Sequence, residues 1–157
     1  VIDVNNVKDV GCFSMDRGGS LPVNAFFNLC YSGKTKAEVK KMLGSQAGVF
    51  SYLGTRDFLE VRTAAFEKND EKAKLIFDAL VYQHAKDIGT MAAVLKFEVD
   101  AIILTGGMAN SKLLCSAIES YTQKIAPMIV LPGEAEMASL AAGAFRVLNG
   151  EKVCEYK

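Results

Sequence analysis

The chain has 157 residues, of which half are hydrophobic and 23% are charged, so it predicts one globular domain with a substantial core. Its 18 basic and 18 acidic side chains cancel, and this balance gives no indication of a nucleic acid or a membrane surface as a partner. No apolar run has the length of a membrane span, and the first residues lack the basic start of a signal peptide.

The cysteines and the single histidine do not have the spacing of a metal site. Cys12, Cys30, Cys115 and Cys154 include no C-x-x-C pair, and His84 is the only histidine. This is a poor set of ligands for zinc. Scattered free thiols are typical of a reducing compartment, so we expect a cytoplasmic location. We assign no role to His84, because a lone histidine is more often structural or exposed than catalytic.

The first 32 residues predict two short elements on either side of a loop. Residues 1–6 predict a short strand that ends in a polar turn, and residues 24–32 predict a helix. Between them, the glycines and the proline of residues 11–22 predict a loop. Arg17 precedes two glycines in this loop, and a guanidinium group is suited to a bidentate grip on phosphate or carboxylate. A surface arginine in a turn is the plain alternative.

Polar capping residues predict the starts of the next three helices. Thr35 and Glu38 have the spacing of a capping box, and Asp57 caps a helix that should run to about residue 67. Asp70 should cap the longest helix, over about residues 71–96, which at 1.5 Å per residue would measure about 35–40 Å. Arg56 lies beside the start of the second of these helices. Its guanidinium plane could stack on an aromatic base, or it could be a solvated turn arginine.

Residues 99–112 form the central unit of the sequence. An apolar run at 101–104 predicts a buried strand, Gly106 and Gly107 predict a tight turn, and Asn110 or Ser111 should cap a helix ending near residue 123. A helix start carries free N–H groups and a positive dipole end, so an anion or a nucleotide could bind there. The glycine pair alone equally fits an ordinary turn that requires a positive φ, and it is weaker than a full dinucleotide fingerprint.

The last third of the chain predicts another strand and helix. Residues 125–131 should form a strand that Pro127 places at an edge or a strand start. Glu134 and Glu136 open the final helix, where acidic side chains complement the helix dipole, and Gly150 should end it. The order of elements predicts an α/β domain in which at least two strands are parallel.

Five separated motifs occur in a recognisable order. They are VIDVNN at 1–6, DRGGSLP at 16–22, YLGTRD at 52–57, AIILTGGMANSK at 101–112 and LPGEAEM at 131–137. Together they resemble the C-terminal half of the butyrate kinases, in the acetate kinase family of the actin-like ATPase and sugar kinase superfamily. The resemblance covers almost the whole chain. It implies a ribonuclease-H-like (actin-like ATPase) α/β fold with a mixed sheet and helices on its faces.

The resemblance also implies that residues 1–157 are a single domain, the C-terminal nucleotide-binding lobe of a two-lobed kinase. The family's N-terminal lobe and the glycine-rich phosphate loop that precedes residues 1–4 are absent from this sequence. We therefore expect this chain alone to bind nucleotide weakly and to have no turnover. The family transfers the γ-phosphoryl group of ATP reversibly to a short carboxylate, so the implied ligands are ATP or ADP, Mg²⁺, and a carboxylate or acyl phosphate.

The resemblance assigns roles to individual positions of this sequence. Residues similar to the superfamily's adenosine loop are Thr105, Gly106, Gly107, Met108, Ala109 and Asn110. Arg56, followed by Asp57, resembles the arginine beside the adenine, although Gly54 replaces the family's acidic residue two positions earlier. Arg17 matches the arginine that steadies the transferring phosphoryl group. Either Glu134 or Glu136 resembles the acidic residue linked to Mg²⁺.

Alternative functions remain open at this point. One is a branched-chain fatty acid kinase, and another is a nucleotide-binding regulator or activating ATPase of the same superfamily without a carboxylate acceptor. A third is an assembly domain, supported by Phe26, Phe27 and Phe50 as candidate exposed aromatics and by small-residue helix faces such as residues 141–144. The C-terminal lobes of the family commonly pair, so we expect a homodimer or a higher homo-oligomer.

Overall fold

A computed structural model describes residues 1–5, 10–133 and 135–153, with the backbone alone for Glu136. The elements in chain order are α1 Val23–Cys30, α2 Lys36–Ser45, α3 Gly48–Leu53, α4 Phe58–Phe66, α5 Glu71–Val94, β1 Ile102–Gly106, α6 Lys112–Thr122, β2 Met128–Pro132 and α7 Glu136–Leu148. A short 3₁₀ turn, Gly107–Asn110, joins β1 to α6. None of the described helices is both long and apolar enough to cross a membrane.

The predicted capping residues begin the helices as expected. Thr35 and Glu38 form a reciprocal capping box at the start of α2, in which each side chain accepts the other residue's backbone N–H. The Asp57 side chain accepts from Leu59 N at 2.7 Å, and Asp70 caps α5 in the same manner. Ser111, rather than Asn110, caps α6. Each such cap stabilises its helix by about 1 kcal/mol.

The two strands pair in parallel, as predicted. Their register runs from Ile102 opposite Met128 to Gly106 opposite Pro132, and α6 connects them. Pro127 stands just before β2 and its carbonyl accepts from Ile102 N at 2.9 Å, so the proline removes no ladder donor. Of the predicted mixed sheet, the described residues contain these two parallel strands and one isolated antiparallel bridge, Gly106 to Gly133.

The long helix α5 connects two apolar clusters. Near the sheet, its Phe77 and Val81 pack with Leu114 and Ile118 of α6. A second cluster forms around Val49, Val61 and Ile76. With 24 residues at 1.5 Å each, α5 is about 36 Å long, so it can contribute to both clusters. Complete burial of one such side chain contributes about 1.5–3 kcal/mol.

The structure corrects one expectation, which concerns the start of the chain. Residues 1–5 form no strand, because β1 and β2 pair only with each other in the described sheet. The side chains of Val1, Ile2 and Val4 are exposed. Asn6, the last residue of the predicted strand, lies outside the described residues. Helices α5 and α6 cover one face of the sheet. On the opposite face of the described sheet, Ile103 and Thr105 are exposed.

Candidate functional site

The loop that carries Arg17 is closed on itself by short backbone contacts. Gly11 N donates to Ser20 Oγ at 3.0 Å, and Ser20 N donates to Gly11 O at 2.9 Å. Gly19 has φ of 63°, and a Cβ there would lie 2.5 Å from the Gly11 carbonyl oxygen, so this position accepts only glycine. Within the loop, Arg17 N donates to Ser14 Oγ at 3.1 Å. The Arg17 backbone is therefore held, while its side chain is exposed.

The start of α3 holds the same loop from a second side. Val49 N donates to Ser14 O at 3.0 Å, and Phe50 N donates to Met15 O at 2.8 Å. These are N–H groups of a first helical turn, which have no partner inside their own helix. Gly48 precedes them with φ of 58°, and a Cβ there would collide with the Ser14 carbonyl oxygen. The loop and the helix start thus satisfy each other's backbone groups.

Arg56 lies between this loop and the start of α4. Its guanidinium carbon is 3.7 Å from the centre of the Phe50 ring, and its Nε is 3.9 Å from Asp16 Oδ2. Its terminal nitrogen also donates to the Ser45 carbonyl. Because both charged side chains are substantially exposed, the ion pair contributes at most about 1 kcal/mol. The pair joins the loop of Arg17 to the turn that ends at Asp57.

The glycine turn after β1 has the geometry that the sequence predicted, with one addition. Gly106 has φ of 89° at the end of the strand, and Gly107 opens the unpredicted 3₁₀ turn. Asn110 Nδ2 donates to Gly107 O at 2.9 Å, which closes that turn, and Ser111 then caps α6. The positive end of the α6 dipole therefore points toward the turn.

A cavity of about 290 Å³ lies between the starts of α4 and α6. Its lining residues are Asp57, Phe58, Leu59, Arg62, Gly107, Met108, Asn110 and Ser111. Four of the predicted nucleotide-binding residues therefore line one cavity: Asp57, Gly107, Met108 and Asn110. Asp57 is at least 50 positions away from the other three in the sequence. The mixture of apolar side chains with a few polar groups is that of a small-molecule site, and the volume is at the lower end of that range.

The other predicted positions that the structure describes are not among the residues that line this cavity. Arg56 precedes Asp57 but faces Phe50, and Arg17 lies on the neighbouring loop. Thr105 pairs with Leu131 in the strand register and is exposed on the uncovered sheet face. These roles stay predictions, because no described contact tests them.

Arg62 on the cavity wall is a residue that the sequence analysis missed. It stands three positions after Leu59, so the two side chains share one face of α4. Its terminal nitrogen lies 3.4 Å from Glu67 Oε1, in a partly exposed ion pair. The sequence could have indicated Arg62, because it follows the apolar Leu59 by three positions in a helix that begins beside Arg56.

A larger groove, of about 620 Å³, follows another side of α4. It shares Asp57 and Leu59 with the first cavity, and Glu60, Lys68 and Asp70 add charged groups to its wall. Of the predicted nucleotide-binding residues it contains Asp57 alone. The smaller cavity is the better candidate, because it includes the glycine turn and the start of α6.

The predicted metal ligands fall where the structure gives no side chains. Glu134 lies outside the described residues, and Glu136 is described by its backbone at the start of α7. Across residues 1–5, 10–133 and 135–153, no group of three His, Cys, Asp or Glu side chains could hold a metal ion. The magnesium ligands stay a prediction. His84 Nδ1 lies 2.8 Å from Leu80 O within its own helix, which agrees with a structural role.

The chain has the predicted α/β fold, which is consistent with the actin-like ATPase fold. Its fold is similar to that of a Porphyromonas gingivalis acetate kinase, with a TM-score of 0.78 at 18% identity over 88% of this chain and 41% of that one. An Entamoeba histolytica acetate kinase gives a TM-score of 0.76 at 15% identity, over 87% of this chain and 43% of that one. At this level of identity the similarity concerns the fold alone.

The chain belongs to the acetokinase family, whose sequence profile matches residues 13–131. It is 48% identical, over 97% of its length, to a probable butyrate kinase 2 of Caldanaerobacter subterraneus, of which it covers 43%. It is 47% identical, over its full length, to butyrate kinase 2 of Clostridium acetobutylicum, of which it covers 45%. The chain thus spans less than half the length of the curated relatives it matches. The family resemblance seen in the five motifs is confirmed.

Proposed function

We propose that this chain is the nucleotide-binding, C-terminal lobe of a butyrate kinase, which phosphorylates a short-chain carboxylate with ATP and catalyses the reverse reaction. The observation that carries the proposal is the cavity in which Asp57 meets Gly107, Met108 and Asn110. The near-50% identity to butyrate kinases over almost the whole chain supports the choice within the family. A branched-chain fatty acid kinase is the second candidate for the acceptor.

The cavity suits the adenosine part of ATP or ADP. Phe58, Leu59 and Met108 supply apolar surface for a base, while Asp57 and Asn110 supply polar groups that can orient a sugar. The helix start of α6 favours negative charge, which agrees with phosphate groups bound beyond the nucleoside. The nearby guanidinium of Arg56 already stacks on an aromatic ring, so it can make the same contact with a purine.

Arg17 is the residue that we propose to act on the transferring phosphoryl group. In the forward direction, a carboxylate oxygen forms a new P–O bond while the bond between the γ-phosphorus and ADP breaks, so the products are an acyl phosphate and ADP. Such transfer depends on positioning and on stabilising negative charge. The Arg17 side chain is exposed on a loop whose backbone is held at several points, which suits it to this task. Mg²⁺, when bound, would neutralise phosphate charge, with Glu134 or Glu136 as the candidate carboxylates.

An assembly role can coexist with catalysis. Phe26 and Phe27 are exposed on α1, whereas Phe50 is half-buried beneath Arg56. We propose a homodimer or higher homo-oligomer on this basis, and a cytoplasmic location from the free described cysteines. Sedimentation of the protein over a range of concentrations tests the assembly, because a monomer at every concentration contradicts it.

The experiment that tests the nucleotide site is calorimetric titration of this chain with MgADP. We expect binding in the micromolar-to-millimolar range, weakened about 3- to 10-fold by Arg56→Ala or Arg62→Ala, since each removes one cation from the site or its rim. Arg146→Ala is the matched control, because Arg146 is an exposed arginine on α7 that pairs with Glu151. Equal affinity for all four proteins would place the nucleotide elsewhere and contradict the proposed site.

A further inference from the structure

A carboxylate far from Arg17 in sequence holds the start of its loop. Asp87, on α5, accepts the backbone N–H of Cys12 at 2.6 Å, across 75 positions of sequence. Gly11 leaves room for this contact, because a Cβ there would lie 3.1 Å from Asp87 Oδ2. One side chain of α5 therefore holds the beginning of the loop.

This contact is transmitted to Arg17 by the closed geometry of the loop. Gly11, next to Cys12, is joined to Ser20 by hydrogen bonds in both directions, so the two ends of the loop move together. The middle of the loop is joined to α3 through Ser14. The residues around Arg17 are held by α3 and by Leu43 O of α2, which accepts from Gly18 N, while Asp87 of α5 holds the start of the loop. Removal of Asp87 would release the start of the loop and leave the other supports in place.

The protonation state of Cys12 is suited to this arrangement. Burial, and then the neighbouring Asp87 carboxylate, raise the pKa of the Cys12 thiol to about 11. Near neutral pH the sulfur therefore keeps its proton and carries no charge. A thiolate beside Asp87 would repel it instead.

We propose that Asp87 is a positioning residue for phosphoryl transfer, which holds the loop of residues 11–20 against α5 and so fixes the backbone from which Arg17 reaches the transferring group. The role of Arg17 in this statement rests on the function proposed above. Because the hydrogen bond to an ionised carboxylate is short, it is among the stronger ones a backbone N–H can make. A displacement of a catalytic group by about 1 Å can cost up to about 100-fold in rate.

The structural half of the proposal can be tested on this chain alone. The variants are Asp87→Ala, which removes both acceptors, and Asp87→Asn, which keeps one oxygen for Cys12 N–H but removes the charge. Asp78→Ala is the matched control, because Asp78 is an exposed aspartate of α5 that pairs with Lys74. Alanine favours helix at each position, so circular dichroism should show an unchanged fold.

Two measurements report on the contact directly. Alkylation of Cys12 by iodoacetamide near pH 8, followed by peptide mass spectrometry, should become about threefold faster in Asp87→Ala and Asp87→Asn, because loss of the carboxylate charge lowers the thiol pKa while burial still raises it. Amide exchange of residues 11–20 should become at least about fivefold faster in Asp87→Ala, and should change little in Asp87→Asn. Rates in both Asp87 variants equal to those of Asp78→Ala would overturn the contact and with it the proposal.

The functional half requires turnover in the complete two-lobed kinase that carries this segment. We expect Asp87→Ala to lower kcat about tenfold with the KM for ATP changed less than about threefold, and Asp87→Asn to recover most of the loss. If Arg17→Ala abolishes turnover while Asp87→Ala leaves it unchanged, the positioning role is wrong although the proposed function stands. If Arg17→Ala leaves turnover unchanged, the proposed role of Arg17 fails, and the exchange and alkylation results still decide whether Asp87 holds the loop.

Discussion

Two glycine-containing loops carry predicted site residues, and their glycines serve opposite purposes. In the loop of residues 11–20, added carbon at Gly19 or at the adjoining Gly48 would strike backbone atoms. At Gly106, in the turn before α6, no described atom lies within 4 Å of the position that a Cβ would occupy. The first loop uses glycine to pack against its own backbone, and the second uses it to turn the chain beside open space.

This difference matches the two tasks that we propose. A loop that presents an arginine to a transferring phosphoryl group benefits from a fixed backbone, because charge stabilisation depends on position. A turn that borders a nucleoside cavity benefits from accessible backbone, because a ligand must approach it closely. The comparison yields four predictions, ordered from the largest expected effect to the smallest.

Arg17→Ala and Arg56→Ala should separate catalysis from binding in the complete kinase. For Arg17→Ala we expect kcat to fall about 10³-fold, with nucleotide affinity changed less than about threefold, because the arginine acts on charge in the transition state. For Arg56→Ala we expect the reverse pattern, a weaker affinity with a smaller loss of kcat. Steady-state kinetics and MgADP titration measure both. An equal loss of both quantities in Arg17→Ala would indicate a binding role for Arg17.

Gly48→Ala tests the packed loop. The added methyl group would collide with the Ser14 carbonyl oxygen at a left-handed φ of 58°, so we expect the free energy of unfolding to fall by about 2–4 kcal/mol. Urea denaturation of this chain measures it. The matched control is Gly44→Ala within α2, where a Cβ meets nothing and alanine should stabilise the helix by up to about 1 kcal/mol. Equal effects at the two glycines would mean that the loop is not packed as described.

Gly106→Ala tests the open turn. Its φ of 89° is strained for alanine, but the methyl group meets no described atom, so the free energy of unfolding should fall by about 1–2 kcal/mol, less than for Gly48→Ala. We also expect MgADP affinity to fall, because the turn borders the cavity. Denaturation and calorimetry on the same samples measure the two effects. A loss of stability larger than that of Gly48→Ala would reverse the comparison between the loops.

The raised pKa of the Cys12 thiol, in the loop of residues 11–20, predicts that the stability of the folded chain depends on pH. Because its folded pKa is raised to about 11, the folded protein binds more protons than the unfolded chain at alkaline pH. The stability from this group is therefore complete below about pH 9 and is lost as the pH rises toward 11. After discounting for partial solvent access, we expect a loss of about 1 kcal/mol.

Cys12→Ser should remove this alkaline decline, whereas Cys30→Ser, at an exposed cysteine of α1, should leave it unchanged. Urea denaturation at several alkaline pH values measures the slope. A decline that persists in Cys12→Ser would assign it to another group.

Much of the helical structure could be predicted because its signals are local. Thr35, Asp57, Asp70 and Ser111 each cap a helix through atoms two or three residues away, so the side chain and its partner are visible together in the sequence. The short helix α3 is the exception, since no helix was predicted there. Its start is held by loop carbonyls more than 30 positions earlier, which no local pattern indicates.

The sequence predicted individual residues of the candidate site, but it did not predict which of them lie next to one another. The five motifs indicated the family and the glycine turn, and the structure brings Asp57 and Asn110 to one cavity. The sequence did not indicate that Arg62 shares that cavity, that Arg56 stacks on Phe50, or that the 3₁₀ turn precedes α6. These features depend on which helix faces lie opposite each other, and spacing along one helix does not determine that.

By itself, the sequence determined the starts of the capped helices, the parallel pair of strands and the family. Capping and apolar periodicity act within a few residues, and a motif order is a property of the chain alone. The tertiary structure alone decided that residues 1–5, which have strand-like composition, pair with neither strand of the described sheet. It also decided the contact of Asp87 with Cys12, because a hydrogen bond across 75 positions exists only once α5 has packed beside the loop.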